Sequence, residues 1–178
     1  MIIDAVTKRR VDVYFREVTK EEIRANKYNK RGGWAFNWLT PLKDGFRVFA
    51  LITETEPEVA QGLIAMRALH DPDFNCVHLE NIEAAPQNKR FLGPKGFNNA
   101  QRYENVGKCL VAFACQYSLD QGLEGYVELI AKNSVLQFYS DLGGIPFGRK
   151  VIFDERGALR LIRKHFPGGA KLWRKSKI

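Results

Sequence analysis

The 178-residue sequence has little cysteine and no long hydrophobic segment. Its three cysteines, Cys76, Cys109 and Cys115, form no CxxC pair and cannot all pair with one another, which excludes a disulfide framework and predicts reduced, mostly buried thiols. No apolar run approaches the ~18 to 20 residues that a transmembrane helix needs. The first residues, MIIDAVTKRR, place their charges after their apolar residues and differ from a secretory signal. We therefore expect a cytoplasmic protein without a membrane partner.

Motifs for common metal and nucleotide sites are also missing. The sequence has neither a P-loop nor an H-E-x-x-H zinc motif. Cys76 and His78 have no second Cys/His cluster that would complete a zinc site. The segment from residue 71 begins like a calcium loop, but Cys76 stands where that loop needs glycine and Ile82 stands where it needs glutamate. We predict no metal site.

Basic residues outnumber acidic ones, which gives a formal net charge of +8. Residues 160–178 contain seven Lys or Arg residues and no acid, and residues 87–108 contain five basic residues against Glu104 alone. Such clusters favour an anionic ligand, substrate or surface, but a merely solvated surface explains either cluster equally well.

The rest of the composition, with 45% apolar and 27% charged residues, is ordinary for a soluble globular protein of one domain. We place this domain at residues 1–166 and assign residues 167–178 to a loosely held basic tail. Sequence patterns predict these elements in order: strand 11–15, helix 19–26, strands within 47–55, 59–69 and 75–85, helix 106–121, strand 125–131, short helix 133–142, strand 145–153, and a strand or helix at 158–166. This order predicts an α+β fold.

The start of the long helix is unusual. Val106, Leu110, Phe113 and Tyr117 recur at helical spacing on one face, yet the preceding residues are polar, basic and glycine-bearing. The N-terminus of a helix offers unpaired backbone N–H groups and the positive end of the helix dipole, and both suit a phosphate. An ordinary capped core helix is the alternative interpretation.

Three motifs follow one another in the second half of the chain. The strand that ends near residue 85 closes in IEAAP (residues 82–86), the long helix begins after RYENVG (102–107), and the pattern N-x₄-FY-x₃-GG spans residues 133–144. In this order they resemble the signature of the GNAT superfamily of N-acetyltransferases. The resemblance extends over about residues 11–166 and implies a mixed, mainly antiparallel sheet flanked by helices.

The sequence departs from the GNAT signature at two points. Asn105 stands at the first glycine of the turn, where asparagine tolerates left-handed backbone. The link from Pro86 to Arg102 is also much longer than usual, and its glycines, prolines and asparagines predict a loop. In one interpretation Lys89, Arg90 and Lys95 reach the outer phosphate of a cofactor, while Phe91 and Phe97 cover its adenine or the acceptor. A solvated insertion without a role is the other interpretation.

The resemblance implies acetyl-CoA as acyl donor and direct transfer to a primary amine in a ternary complex. In the family, the strand before the turn separates from its neighbour and frees backbone amides for the acetyl carbonyl. The residues expected to bind acetyl-CoA are Ile82, Ala84, Arg102, Tyr103, Glu104, Asn105, Val106, Gly107, Lys108, Asn133 and Phe138. Asn133 is also expected to cap the short helix.

Acetyl transfer further needs a base for the amine and an acid for the departing thiolate. Regular alternation along the strand places His78, Glu80, Ile82 and Ala84 on one face. Family members often carry a glutamate two residues before the Ile82 position, so Glu80 is the preferred base and His78 the alternative. Tyr139 is the acid candidate, because family enzymes place a tyrosine here. A solvated sheet face and a core tyrosine are the plainer interpretations.

The acceptor is not determined by these motifs. The resemblance places its site in residues 24–46, where Trp34, Phe36 and Trp38 either line a pocket or fill a core. A small-molecule or protein amine is preferred. Two other functions stay open: a nucleic-acid-directed protein, either an aminoacyl-tRNA acetylase or a basic RNA or DNA binder, and an inactive CoA-binding module. A homodimer also remains open.

Overall fold

Ten β-strands and five α-helices lie within residues 1–174, the part of the chain that this computed structural model describes. The strands are β1 (Ile2–Asp4), β2 (Arg10–Val11), β3 (Val13–Glu17), β4 (Arg47–Thr53), β5 (Gly62–Leu69), β6 (Cys76–Ala84), β7 (Tyr103–Glu104), β8 (Val127–Ile130), β9 (Ile145–Phe147) and β10 (Lys150–Phe153). The helices are α1 (Lys20–Ala25), α2 (Leu39–Lys43), α3 (Val106–Asp120), α4 (Leu136–Asp141) and α5 (Glu155–His165).

Seven strands form the main sheet in the order β3-β4-β5-β6-β8-β10-β9. All neighbours in this sheet are antiparallel except β6 and β8, which run parallel and are connected by α3. A second sheet, β2-β1-β7, pairs the N-terminal strand with the two residues that lead into α3. The predicted α+β fold, a mixed and mainly antiparallel sheet flanked by helices, is confirmed.

Each face of the main sheet carries its own apolar core. On one face α3 and α5 cover side chains of the central strands, and the rings of Phe15 and Phe113 stack at 3.8 Å. On the other face α1 and α2 cover a second cluster that includes the fully buried Trp38. The three cysteines are buried and unpaired, as predicted. Because both faces are covered near the middle of the sheet, the fold can hold its central strands rigidly.

Caps and turns define where several elements begin and end. The Thr19 side chain accepts a hydrogen bond from Glu22 N at 3.3 Å and caps α1, which begins within the predicted helix 19–26. Residues 145–153, predicted as one strand, form the hairpin β9–β10, since Gly148 adopts a left-handed conformation with φ +61° and turns the chain. The ambiguous segment 158–166 is helical in α5.

The C-terminal segment is held more firmly than predicted. Phe15 N donates to Lys171 O at 2.9 Å and Trp173 N donates to Phe15 O at 2.7 Å, so residues 171–173 extend the sheet at the edge strand β3. The Trp173 ring also meets Tyr14 edge-on at 5.2 Å. An open strand edge offers unpaired backbone groups, which this segment satisfies. Residues 175–178 of the predicted basic tail lie outside the described residues.

None of the helices within residues 1–174 combines the length and apolar character needed to cross a membrane.

The packing of α5 on α3 encloses a histidine. His165 is 5% exposed, its Nδ1 lies 3.9 Å from Cys109 Sγ, and its Nε2 has no hydrogen-bond partner among the described residues. Burial lowers the pKa of His165 to about 4. An unfolded chain binds this proton near pH 6.5. The unfolded state therefore gains the proton first on acidification, and stability is lost between about pH 6.5 and pH 4.

We expect acidification from pH 7 to pH 4.5 to lower the free energy of unfolding by about 2 kcal/mol through His165 alone. This share of the acid loss should be absent in His165→Gln and retained in the control His70→Gln, since His70 is exposed. Urea unfolding of the three proteins at both pH values measures it. Equal losses in wild type and His165→Gln would contradict the assignment.

Candidate functional site

Two parallel strands separate in the middle of the main sheet. Strands β6 and β8 are paired only from Val77 to Leu79, although β6 continues to Ala84. A cavity of about 470 Å³, here called the transfer cavity, opens where they part and is lined by both strands and by α4. The separation that the sequence resemblance implied is therefore present in the fold.

Backbone amides of β6 point into this cavity. Ala85 N donates to Gln61 O at 2.9 Å on the side of β5. In an antiparallel ladder, hydrogen-bonded pairs alternate with pairs whose peptide groups face away. The N–H groups of Ile82 and Ala84 are therefore turned from β5 toward the gap. Such amides can donate to a carbonyl oxygen that gains negative charge.

A second cavity, of about 630 Å³ and here called the turn cavity, lies at the start of α3. The first three N–H groups of α3, those of Val106, Gly107 and Lys108, have no acceptor among the described residues. Asn105 precedes them in the left-handed conformation, with φ +67°, and its side chain makes no capping hydrogen bond. The helix start is therefore open to an anion, and the left-handed backbone expected at Asn105 is confirmed.

The two cavities meet at Ala84, Gly107 and Phe138, which border both.

Solved structures have a similar fold. AtaTR bound with acetyl-CoA superposes with a TM-score of 0.55 at 15% identity, covering 85% of this chain and 98% of that one. The NatC complex bound to Gag peptide and CoA gives 0.54 at 12% identity, covering 81% and 99%. AtaT complexed with acetyl-methionyl-tRNAfMet gives 0.51 at 15% identity, covering 85% and 99%.

The chain has the GNAT fold. No protein-family model matches the sequence, and a search of curated proteins also gives no match. At these identities the solved structures show a common fold.

A β-bulge changes the pleat that the sequence predicted in β6. Ala65 pairs with Asn81 and Met66 pairs with Leu79, so Glu80 is an extra residue on β6. Beyond it, Ile82 packs against the core beneath α3. His78 lies on the opposite face, with its ring 5.9 Å from that of Phe46. The prediction that His78, Glu80, Ile82 and Ala84 share one face is wrong, because one inserted residue reverses the alternation.

Glu80 borders the transfer cavity and begins a row of polar side chains. Its Oε2 lies 3.2 Å from His78 Nε2, and His78 Nδ1 lies 3.0 Å from Glu128 Oε1. Lys150 Nζ completes the row at 2.8 Å from Glu128 Oε2. Burial acts to raise the pKa of Glu128, but the hydrogen bonds from Lys150 and His78 outweigh it and lower that pKa. His78 does not border the cavity itself, but its ring is hydrogen-bonded to the Glu80 carboxylate.

Helix α4 contributes aromatic residues to the site. Tyr139 is 6% exposed, borders the transfer cavity, and its hydroxyl makes no hydrogen bond with a described residue. Burial raises the pKa of Tyr139 to about 12, so the phenol keeps its proton at neutral pH. Asn133 is exposed in a 3₁₀ turn, borders neither cavity and makes no capping hydrogen bond, so its predicted capping role is wrong.

The residues before α3 divide between support and the turn cavity. In the GNAT fold of this chain, Tyr103 and Glu104 form β7 and pair with β1. Both border the turn cavity. The Glu104 carboxylate lies 2.6 Å from Lys8 Nζ, so its negative charge is partly offset beside an anion site. Gly107 stands against Phe138, since a Cβ at Gly107 would lie 3.4 Å from the Phe138 ring.

Arg102 is not placed as predicted. Its guanidinium bonds to Glu56, with Nη1–Oε1 at 3.1 Å and Nη2–Oε2 at 2.5 Å, and it does not border the turn cavity. The hydrogen bond that Arg102 donates to Glu56 raises the pKa of Arg102. Positive charge at the turn cavity comes instead from Lys89, Arg90 and Lys108. Nothing in the sequence indicated the partner Glu56, which lies 46 residues away.

The long link between Ala85 and Arg102 is closed at its base by buried amides. Asn88 Nδ2 donates to Gln61 O at 2.9 Å, and Asn88 Oδ1 accepts from Tyr103 N at 2.9 Å. Gln101 Nε2 donates to Asn88 O at 3.0 Å. This network, which the sequence did not reveal, fixes the link beside the turn cavity. At its exposed tip the rings of Phe91 and Phe97 contact each other, tilted by 38° with centroids 4.6 Å apart.

The aromatic segment after α1, residues 33–38, both fills a core and lines a cavity. Trp34 and Trp38 are buried in the core beneath α1 and α2. Phe36 is partly buried and borders the transfer cavity. Glu83 connects this segment to β6, because Trp38 Nε1 donates to its carboxylate at 3.3 Å.

Proposed function

We propose that the protein is an acetyl-CoA-dependent N-acetyltransferase that moves an acetyl group to a primary amine, of a small molecule or a protein. The observation that carries this proposal is the meeting of the two cavities. A thioester whose phosphates lie at the start of α3 would present its acetyl carbonyl to the N–H groups of Ile82 and Ala84. The solved structures of AtaTR with acetyl-CoA and of NatC with CoA support the donor.

The turn cavity suits the polyanionic end of the donor. The free N–H groups of Val106, Gly107 and Lys108 lie at the N-terminus of α3, which is the positive end of the helix dipole. Arg90 and Lys108 add positive charge at the same cavity. Backbone amides bind a pyrophosphate without requiring a particular side chain, so the pairing of Arg102 with Glu56 does not weaken the proposal.

The transfer cavity supplies the groups that acetyl transfer needs. Glu80 takes the proton of the attacking ammonium, and His78 holds the Glu80 carboxylate in place. The amine nitrogen then bonds to the carbonyl carbon while the amides of Ile82 and Ala84 stabilise the oxyanion. When the C–S bond breaks, Tyr139, which keeps its phenolic proton at neutral pH, donates that proton to the thiolate, and the second proton lost by the attacking nitrogen restores the phenol.

We expect Gly107→Asp to weaken acetyl-CoA binding by at least about 100-fold, because a carboxylate at the helix start repels the phosphates. The control Gly107→Ala adds a Cβ that meets only the Phe138 ring, and should bind within about threefold of wild type. Isothermal calorimetry measures both affinities, and circular dichroism checks folding. A folded Gly107→Asp protein with wild-type affinity would exclude this binding site.

We expect Glu80→Gln and Tyr139→Phe each to lower kcat by roughly 10²-fold or more while acetyl-CoA still binds. Tyr139→Phe should leave the melting temperature unchanged, since the hydroxyl has no hydrogen-bond partner among the described residues. Mass spectrometry of an amine and peptide panel with acetyl-CoA identifies the acceptor and measures turnover. A harmless Glu80→Gln with a crippled His78→Ala would reassign the base. Donor binding without any acetylated product would favour an inactive CoA-binding module.

A nucleic-acid-borne amine, as in an aminoacyl-tRNA, is the second acceptor candidate. Helix α5 exposes Arg156, Arg160 and Arg163 along a groove that also contains Glu155 and Leu159. None of the three arginines is ion-paired with a described residue. Unpaired arginines at this spacing suit successive backbone phosphates. The structure of AtaT with acetyl-methionyl-tRNAfMet gives this candidate further support.

If nucleic acid binds there, replacing the three α5 arginines by glutamine should weaken tRNA binding by tenfold or more. The slope of log K against log salt should also fall by up to about 3 units, because fewer phosphates are neutralised. Fluorescence anisotropy with a labelled tRNA measures both quantities. The control replaces the exposed residues Arg9, Lys20 and Lys27 by glutamine, which removes the same charge from another surface. Equal effects of both triple variants would exclude a specific surface on α5.

A further inference from the structure

Glu83 borders the transfer cavity, and its carboxylate contacts the aromatic segment after α1. It lies in β6 between Ile82 and Ala84, pairs with Leu63, and faces the core beneath α1 and α2. The Glu83 side chain is only 6% exposed. A carboxylate in such a position must be matched by hydrogen-bond donors, because burying an unmatched charge is costly.

Three of its donors come from the aromatic segment after α1. Glu83 Oε1 accepts from Ala35 N at 2.6 Å, and Oε2 accepts from Phe36 N at 3.3 Å. Trp38 Nε1 donates to the same Oε2 at 3.3 Å. One carboxylate thus binds the N–H groups of two consecutive residues, Ala35 and Phe36. Such charge-assisted hydrogen bonds are stronger than neutral ones.

The fourth donor comes from the long link. Lys89 Nζ lies 2.6 Å from Glu83 Oε1 and 3.2 Å from Gly33 O. Lys89 also borders the turn cavity at the start of α3. Its ammonium group therefore touches both Gly33 of the aromatic segment and the Glu83 carboxylate that holds this segment. Its side chain also forms part of the wall against which an anionic donor would lie.

Phe36 gives this arrangement a consequence for the transfer cavity. Its ring borders that cavity, and Lys132 Nζ lies 5.9 Å from the ring centroid. The flanking Trp34 and Trp38 are buried, so Phe36 is the aromatic residue of the segment that an acceptor would meet. The place of the Phe36 ring depends on its backbone, and that backbone is held by Glu83.

We propose that Glu83 is a positioning residue for the acceptor, and that Lys89 makes this positioning respond to acetyl-CoA. The proposal rests on the proposed acetyl transfer. A donor that packs against Lys89 restricts the ammonium to its contacts with Glu83 and Gly33, which orders residues 33–38 and places Phe36 at the cavity wall. The acceptor surface is then completed only after the donor is bound.

Hydrogen exchange tests the coupling directly. In wild type, saturating acetyl-CoA should slow amide exchange in residues 33–38 by about fivefold or more, with the largest effect at Ala35 and Phe36. In Lys89→Met, measured with acetyl-CoA again saturating, this slowing should be lost. The control Lys95→Met changes the same link at a position that borders neither cavity, and should keep the slowing.

Glu83→Gln tests the positioning role. Exchange at Ala35 and Phe36 should rise about tenfold in the free protein, because two charge-assisted hydrogen bonds are weakened. With the amine that the panel identifies, KM for the amine should rise about tenfold while kcat and the affinity for acetyl-CoA change less than about threefold. If Glu83→Gln does not fold, the comparison of Lys89→Met with Lys95→Met decides the question.

Two results would overturn the inference and leave acetyl transfer intact: acetyl-CoA binds wild type without slowing exchange in residues 33–38, or Lys89→Met keeps the full slowing. A wild-type protein that does not bind acetyl-CoA at all would overturn the proposed function and the coupling together. A Glu83→Gln protein that loses kcat and amine affinity alike would show a general structural defect and also contradict a positioning role.

Discussion

The separation of β6 from β8 is the constraint on which the rest of the site depends. Strands β6 and β8 pair for only three residues, so the peptide groups of β6 that face the gap beyond Leu79 have no partner strand. Unpaired N–H groups inside a fold are costly unless water or a ligand satisfies them. The gap therefore sets where a carbonyl can bind, and the elements around it, α3, α4 and the link, fill the sides of that opening.

The two faces of the gap have different chemistry. Toward the start of α3 the surroundings are positive, through free amides and the basic residues Lys89, Arg90 and Lys108. Toward β8 and β10 a row of hydrogen-bonded polar side chains runs from Glu80 through His78 and Glu128 to Lys150. A phosphate-bearing donor and a proton-releasing acceptor would each meet the charge that suits it. The Glu83 carboxylate connects the link, through Lys89, with the aromatic segment, through Ala35.

The β-bulge at Glu80 shows how a small irregularity decides which side chains meet. Without it, Glu80 and Ile82 would face the same way, and His78 would border the cavity beside them. With it, Glu80 is at the cavity and His78 is one step behind, hydrogen-bonded to Glu128. A bulge arises from the fit of neighbouring strands, and β6 has no glycine or proline that would announce it. The strand could be predicted from its residues, but its pleat could not.

The sequence by itself determined the longer helices and strands in their order, the GNAT-like motifs and the asparagine at the left-handed turn before α3, because each of these follows from residues close together in the chain. The tertiary structure alone decided the partners of charged and amide side chains. Arg102 binds Glu56, Asn88 binds Gln61, and Glu83 binds Ala35, across separations of 27 to 48 residues. Such contacts depend on how strands and loops are brought together in space, which periodicity and motif spacing do not encode.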